Sequence, residues 1–150
     1  MKIYLGTDHA GFEFKEQIKK YLIENKYEII DCGALTFEPN DDYPDYISKV
    51  GENVGKDTGS YGIVFGKSGA GECMVANKYK NVRAFLAVNE QNVKLAREHN
   101  DANVISVGSE IISLDLSKKL IELFLKTPFS NEERHIRRIN KIKDIENKCN

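Results

Sequence analysis

Neither sign of charge prevails in this chain: Lys and Arg number 22 against 23 Asp and Glu, for a formal net charge of -1. No global field recommends a nucleic-acid or membrane partner, and any anion recognition must be local. Cysteine is sparse. Cys32, Cys73 and Cys149 are odd in number and lack C-x-x-C spacing, which argues against a disulfide framework or a structural zinc site. A reducing cytosol suits them best. Long hydrophobic runs are missing as well: Met1 to Gly6 is too short an apolar stretch for a signal peptide, and no run approaches the length that spans a bilayer. The expectation is a soluble, cytoplasmic protein. Repeats, low-complexity tracts and domain linkers are also absent, so 150 residues, 41% of them hydrophobic, are expected to form one domain over 1–150.

The chain is organised around one loop. The apolar run Gly62-Ile63-Val64-Phe65 leads directly into Gly66-Lys67-Ser68-Gly69-Ala70-Gly71-Glu72 and on to Cys73-Met74-Val75-Ala76-Asn77-Lys78. A β-branched run, a glycine-rich turn and then helix formers read as strand, loop and helix start. Such a loop has little side-chain bulk and several backbone N–H groups free, so it can hold an anion or stabilise negative charge that develops during a reaction. Glu72 stands at its mouth. Spacing alone leaves equally open an ordinary strand-to-helix turn whose acidic first-turn residue is favoured by the helix dipole.

Around this loop, strands and helices alternate. Ile3 to Thr7, Tyr27 to Asp31, Gly62 to Phe65, Arg83 to Val88 and Val104 to Gly108 read as strands. Phe14, Ile18, Tyr21 and Leu22 recur at helical spacing between Phe12 and about Asn25, with Lys15, Glu16, Lys19 and Lys20 on the wet side. Further helices are expected from Tyr43-Pro44 toward Gly55, after the loop through Lys78, around Val93 to Asn100, and across Leu116 to Leu125, where Thr127-Pro128 stops the pattern. From Asn131 to Lys148, Ile136, Ile139, Ile142 and Ile145 repeat among charges, an apolar edge that could seat on the sheet or on a second subunit. The pattern predicts an α/β fold, a Rossmann-like three-layer α/β/α sandwich with a parallel sheet of about five strands and an extended C-terminal helix.

Three clusters could do chemistry. Asp8-His9 ends the first strand, where functional side chains of open α/β sheets gather; the pair could orient a hydroxyl and move protons, or Asp8 could simply cap the next turn. His99-Asn100 closes a helix, and a helix C-terminus favours imidazolium, so a proton donor fits there as well as a surface histidine does. Arg134 and Arg138, four apart in Arg134-His135-Ile136-Arg137-Arg138, share a helix face. They suit a clamp on a phosphate dianion or a solvated face paired with Glu132, Glu133 and Asp144. Cys73 reads as packing.

Taken together, Gly6-Thr7-Asp8-His9-Ala10-Gly11, Asp31-Cys32-Gly33-Ala34, Asp42-Tyr43-Pro44, Gly66 to Glu72 with Ala76-Asn77-Lys78, Arg97-Glu98-His99-Asn100 and Arg134-His135-Ile136-Arg137-Arg138 resemble the type B ribose-5-phosphate isomerases. The resemblance implies metal-free, cofactor-free interconversion of D-ribose 5-phosphate and D-ribulose 5-phosphate through a cis-enediolate, a step of pentose phosphate metabolism. It also implies a homodimer with shared active sites, which could associate further into a tetramer. One branch of that family uses a cysteine at the end of the third strand as base, a position held here by Phe65; the other uses a glutamate, matching Glu72. By resemblance Glu72 is the base, Ser68 and the backbone N–H groups around Gly69 and Gly71 hold the enediolate, Gly66, Lys67 and Ala70 of the same loop bind substrate, and His99 with Asp8 opens the sugar ring. Asn100 and Tyr43 place the sugar. His9, Arg134 and Arg138 match family positions that hold the phosphate, which implies arginines reaching in from a second subunit.

Two positions depart from that pattern. Glu110 stands where an arginine commonly helps to bind phosphate, and an anion there should weaken binding unless a nearby charge compensates. Lys67 replaces a frequent loop glycine and could supply that charge, and could equally point to solvent or narrow the pocket. The rival readings are an isomerase of a six-carbon sugar phosphate, such as galactose 6-phosphate or allose 6-phosphate, and a non-catalytic phosphate- or nucleotide-binding module.

Overall fold

Five stretches rich in β-branched and apolar residues pair into one wholly parallel sheet in the computed structural model, which describes residues 1–149. The strands are β1 (Lys2–Thr7), β2 (Glu28–Asp31), β3 (Tyr61–Gly66), β4 (Ala84–Leu86) and β5 (Val104–Gly108), in the order β2-β1-β3-β5-β4. Between and after them come α1 (Phe12–Glu24), α2 (Pro44–Lys56), α3 (Ala70–Ala76), α4 (Glu90–Asn100), α5 (Leu114–Lys126) and α6 (Glu133–Lys148), with one 3-10 turn at His9–Gly11. Thr7 pairs with Phe65 and Gly66 with Gly108, so β1, β3 and β5 finish level with one another. The expected sandwich is the observed one.

Both sheet faces are covered, which is why the central strands read as unbroken apolar runs rather than alternating ones. Ile3, Leu5, Ile63, Phe65, Ile105 and Val107 point to one side and pack with Ile18 and Leu22 of α1, Val93 of α4, and Leu120 and Phe124 of α5. Tyr4, Val64 and Val104 point to the other, against Ile47, Val50 and Val54 of α2 and Ala76 of α3. Burial of these side chains, each worth roughly 1.5–3 kcal/mol, is the main force holding the layers. Among the described residues no helix is long and apolar enough to cross a membrane.

Three details differ from the sequence expectation. The edge strand β4 is three residues long rather than Arg83 to Val88, because side chains occupy its free edge. Asn77 bonds both the N–H (2.8 Å) and the C=O (2.9 Å) of Ala84, and Asn92 takes the Val88 N–H (2.9 Å) and donates to the Leu86 carbonyl (2.8 Å). An edge satisfied in this way offers little for another strand to pair with. Lys15, expected in water, is fully buried: its Nζ donates to both carboxylate oxygens of Asp31 (2.9 and 2.8 Å) and to the Ala34 carbonyl (2.5 Å). Finally, α6 packs on α4 through His135 and Ile139, leaving Ile136, Ile142 and Ile145 exposed.

Candidate active site

The first half of the site forms at the carboxyl ends of β1 and β3, where the connection order reverses and open α/β sheets bind ligands. Asp8, buried, follows β1; its Oδ1 accepts the Ala10 N–H at 2.9 Å, so the carboxylate caps the 3-10 turn. His9 is fixed by Asp41, a residue the sequence reading passed over. One oxygen of Asp41 accepts the His9 backbone N–H (2.9 Å) and lies 2.7 Å from Nδ1. That hydrogen bond raises the imidazole pKa above its ordinary value, with the charge of Asp8 adding and burial opposing. Only a loop aspartate next to Asp42-Tyr43-Pro44 signals this in sequence, and its partner lies 32 residues away.

The glycine-rich loop supplies the rest of this half. Gly69 adopts φ +79°, a left-handed conformation that glycine reaches without strain, and its carbonyl accepts the Ser106 hydroxyl at 2.6 Å. Backbone bonds from Ser109 to Gly66 (2.8 Å) and from Glu110 to Lys67 (3.0 Å) fasten the loop to the end of β5. Two glycines are required by close approach. A Cβ on Gly66 would stand 1.9 Å from Glu72 Oε1, and one on Gly71 would meet the Tyr43 ring at 2.7 Å. The Glu72 carboxylate is therefore folded over Gly66, only 4% of the residue being exposed, with the Tyr43 ring beside the loop. Burial raises its pKa, the charge of Asp8 raises it further, and its own backbone N–H opposes both. Ser68 is exposed, its oxygen accepting from the Ala70 N–H at 3.2 Å. Phe65 points into the core, so no ionisable side chain occupies that position. Cys73 has its thiol pKa raised by burial and by Glu72, which suits packing and not nucleophilic attack.

His99, Asn100, Arg134 and Arg138 are not brought to this edge. Helix α4 returns across the sheet, so its last turn lies beside the amino ends of β3 and β5, and Arg97 two residues earlier donates to the Tyr61 hydroxyl at 3.2 Å. A sheet's length, on the order of 20 Å, separates that end from Glu72. There the His99 ring packs on His135 with centroids 4.2 Å apart, and Arg134 Nε meets Glu132 at 2.8 Å. A cleft of about 310 Å³ lined by Tyr61, Arg83, Arg97, Asp101 and Lys143 opens at the same end, away from Glu72. The two departures from the resemblance meet at the loop rim: Lys67 Nζ lies 3.7 Å from Glu110 Oε1, both side chains well exposed. Asp8, His9 and Asp41 bring one potential metal-ligand atom each within 4.8 Å of one another; the named bonds to Ala10 and His9 use one oxygen of each carboxylate, and Asp41 Oδ2 is buried without a hydrogen-bond partner among the described residues.

A buried carboxylate whose pKa burial raises, folded over a glycine loop at the switch point of a parallel sheet, is an arrangement of an α/β protein that can move a proton on a small polar ligand. The chain belongs to the ribose/galactose isomerase family, whose model matches residues 3–142. It is 41% identical to ribose-5-phosphate isomerase B of Mycobacterium tuberculosis over 146 residues, 97% of this chain and 90% of that protein. Among solved structures it is similar to ribose-5-phosphate isomerase B of Clostridium thermocellum, with a TM-score of 0.95, 37% identity and full coverage of both chains. The same enzyme of Mycoplasma genitalium, solved with bound ribulose-5-phosphate, gives 0.93 and 37%, covering 97% of this chain and 96% of that one.

Proposed function

We propose that this chain interconverts D-ribose 5-phosphate and D-ribulose 5-phosphate, with Glu72 as the base. The observation that carries the reading is the Glu72 carboxylate, buried over Gly66 beside a loop of small residues. Isomerisation removes the C2 proton of the open aldose and returns a proton to C1 of the enediolate, so one carboxylate serves as base and then as acid. Burial strengthens it as a base toward a weak carbon acid. The Ser68 hydroxyl and the loop N–H groups from Gly66 to Gly71 face the charge that develops on the two enediolate oxygens. His9, whose imidazole pKa the bond to Asp41 raises, meets the phosphate, and Tyr43 lies against the sugar.

His99, Asn100, Arg134 and Arg138 complete the site from a second copy of the chain. This part of the reading rests on topology: each chain carries the Glu72 half at one end of its sheet and the His99 half at the other. A two-fold dimer joins them twice. The exposed Ile136, Ile142 and Ile145 give α6 an apolar edge for such an interface.

The test is conversion of ribose 5-phosphate by wild type and Glu72→Gln with EDTA present. Wild-type turnover that survives the chelator, and a loss of roughly 10²–10⁴-fold or more in the variant, is the expected result. Turnover of galactose 6-phosphate or allose 6-phosphate in place of the pentose would move the assignment to a hexose phosphate. Full activity in Glu72→Gln would reject the base.

A further inference from the structure

His135 has no part in the reaction described so far, yet it is 2% exposed in a helix turn that is otherwise wet. Its ring lies on that of His99, centroids 4.2 Å apart and planes 32° from parallel. Its Nδ1 is 2.7 Å from Ser130 Oγ. Ser130 is itself seated: its backbone N–H donates to the Glu98 carbonyl at 3.1 Å, and its oxygen accepts the Glu132 N–H at 3.4 Å. The Ser130 hydroxyl can donate to Nδ1 while its oxygen accepts the Glu132 N–H. An Nδ1 that accepts from Ser130 makes His135 a neutral imidazole with its hydrogen on Nε2.

We propose that His135 is a positioning residue for His99: a buried aromatic ring, seated beside Ser130, whose face fixes the plane of the His99 imidazole. The inference rests on the reading of His99 as the group that opens the sugar ring. The surroundings favour the neutral ring too. Burial disfavours a proton on His135, and His99, Arg134 and Arg138 disfavour it further; Glu132 alone favours it. Stacking removes rotational freedom from a side chain that must meet a sugar ring oxygen arriving from another subunit.

Ring opening and enolisation can be read separately, which makes the role testable. D-ribulose 5-phosphate cannot close to a furanose because its O5 is phosphorylated, so exchange of its C1 hydrogen with deuterated water needs Glu72 and not ring opening. The experiment measures ribose 5-phosphate turnover and this deuterium exchange in wild type, His135→Ala, His135→Phe and His99→Leu. Expected are a fall of about tenfold or more in turnover for His135→Ala with exchange kept within about twofold, and turnover near wild type for His135→Phe, which keeps a neutral stacked ring. His135→Leu fills the volume without an aromatic face and replaces the alanine variant if that does not fold. Equal loss of turnover and exchange would make His135 merely structural, a phenylalanine variant as impaired as alanine would mean the ring nitrogens are needed, and an unimpaired alanine variant would mean neither; each overturns the proposal. Unimpaired turnover in His99→Leu would instead remove the ring-opening reading beneath it.

Discussion

At the scale of single residues, the proposed site trades folding stability for reactivity if Glu72 is the base, because its carboxylate is buried. Its pKa is raised in the folded state by burial, so above the ordinary carboxylate range folding must retain a proton or bury a charge. Stability from this group falls as pH rises through that window. Glu72→Gln should therefore be more stable than wild type at neutral pH, with the difference closing in acid, while turnover is lost; thermal melts across pH check this. Asp41 works in the opposite sense. By accepting two bonds from His9 it holds the imidazole protonated to higher pH than an isolated histidine. Asp41→Asn should raise KM for a sugar phosphate about tenfold with a smaller change in kcat, and KM should begin to climb at lower pH than in wild type, as steady-state kinetics over a pH series would read.

At the scale of elements, polar ties fix what apolar packing leaves adjustable. Lys15 joins α1 to the end of β2, and Lys19 reaches the same Asp31 carboxylate at 2.8 Å. Burial alone would push the Asp31 pKa up, but bonds from Lys15, Lys19 and the Gly33 N–H outweigh it and hold the carboxyl below its ordinary value. Its contribution to stability is present above the ordinary carboxylate range and disappears as pH falls through the lowered value. Lys15→Met leaves Asp31 without its buried partner and should cost about 3–5 kcal/mol by urea unfolding, with the acid-unfolding midpoint moved to higher pH. The charges of α1 were misread for a plain reason. Helical periodicity sorts residues by polarity, and a buried lysine is polar; only the arrival of Asp31 and Ala34 from the next strand and loop makes its burial tolerable.

At the scale of the molecule, the two halves of the proposed site lie at opposite strand ends of one sheet, so a mixture of inactive chains should recover what neither has. Glu72→Gln and His99→Leu, co-assembled in equal amounts, form mixed dimers in half of cases, each with one intact site, and should return about a quarter of wild-type activity. Recovery of none would place both halves in one chain or assign His99 elsewhere. The sequence by itself determined the strand and helix alternation, the parallel sandwich, and the local chemistry of Asp8-His9 and Gly66 to Glu72, because these depend on neighbours within a few residues. Periodicity placed Ile63 to Phe65 in the core, and the glycines of the loop announced its tight turn. Tertiary structure alone decided that Asp41 holds His9, that Lys15 is buried, that asparagines shorten β4, and that His135 lies on His99. Each of those joins residues distant in the chain or sets a side chain's protonation by its surroundings, and burial and electrostatic coupling exist only once the elements have packed.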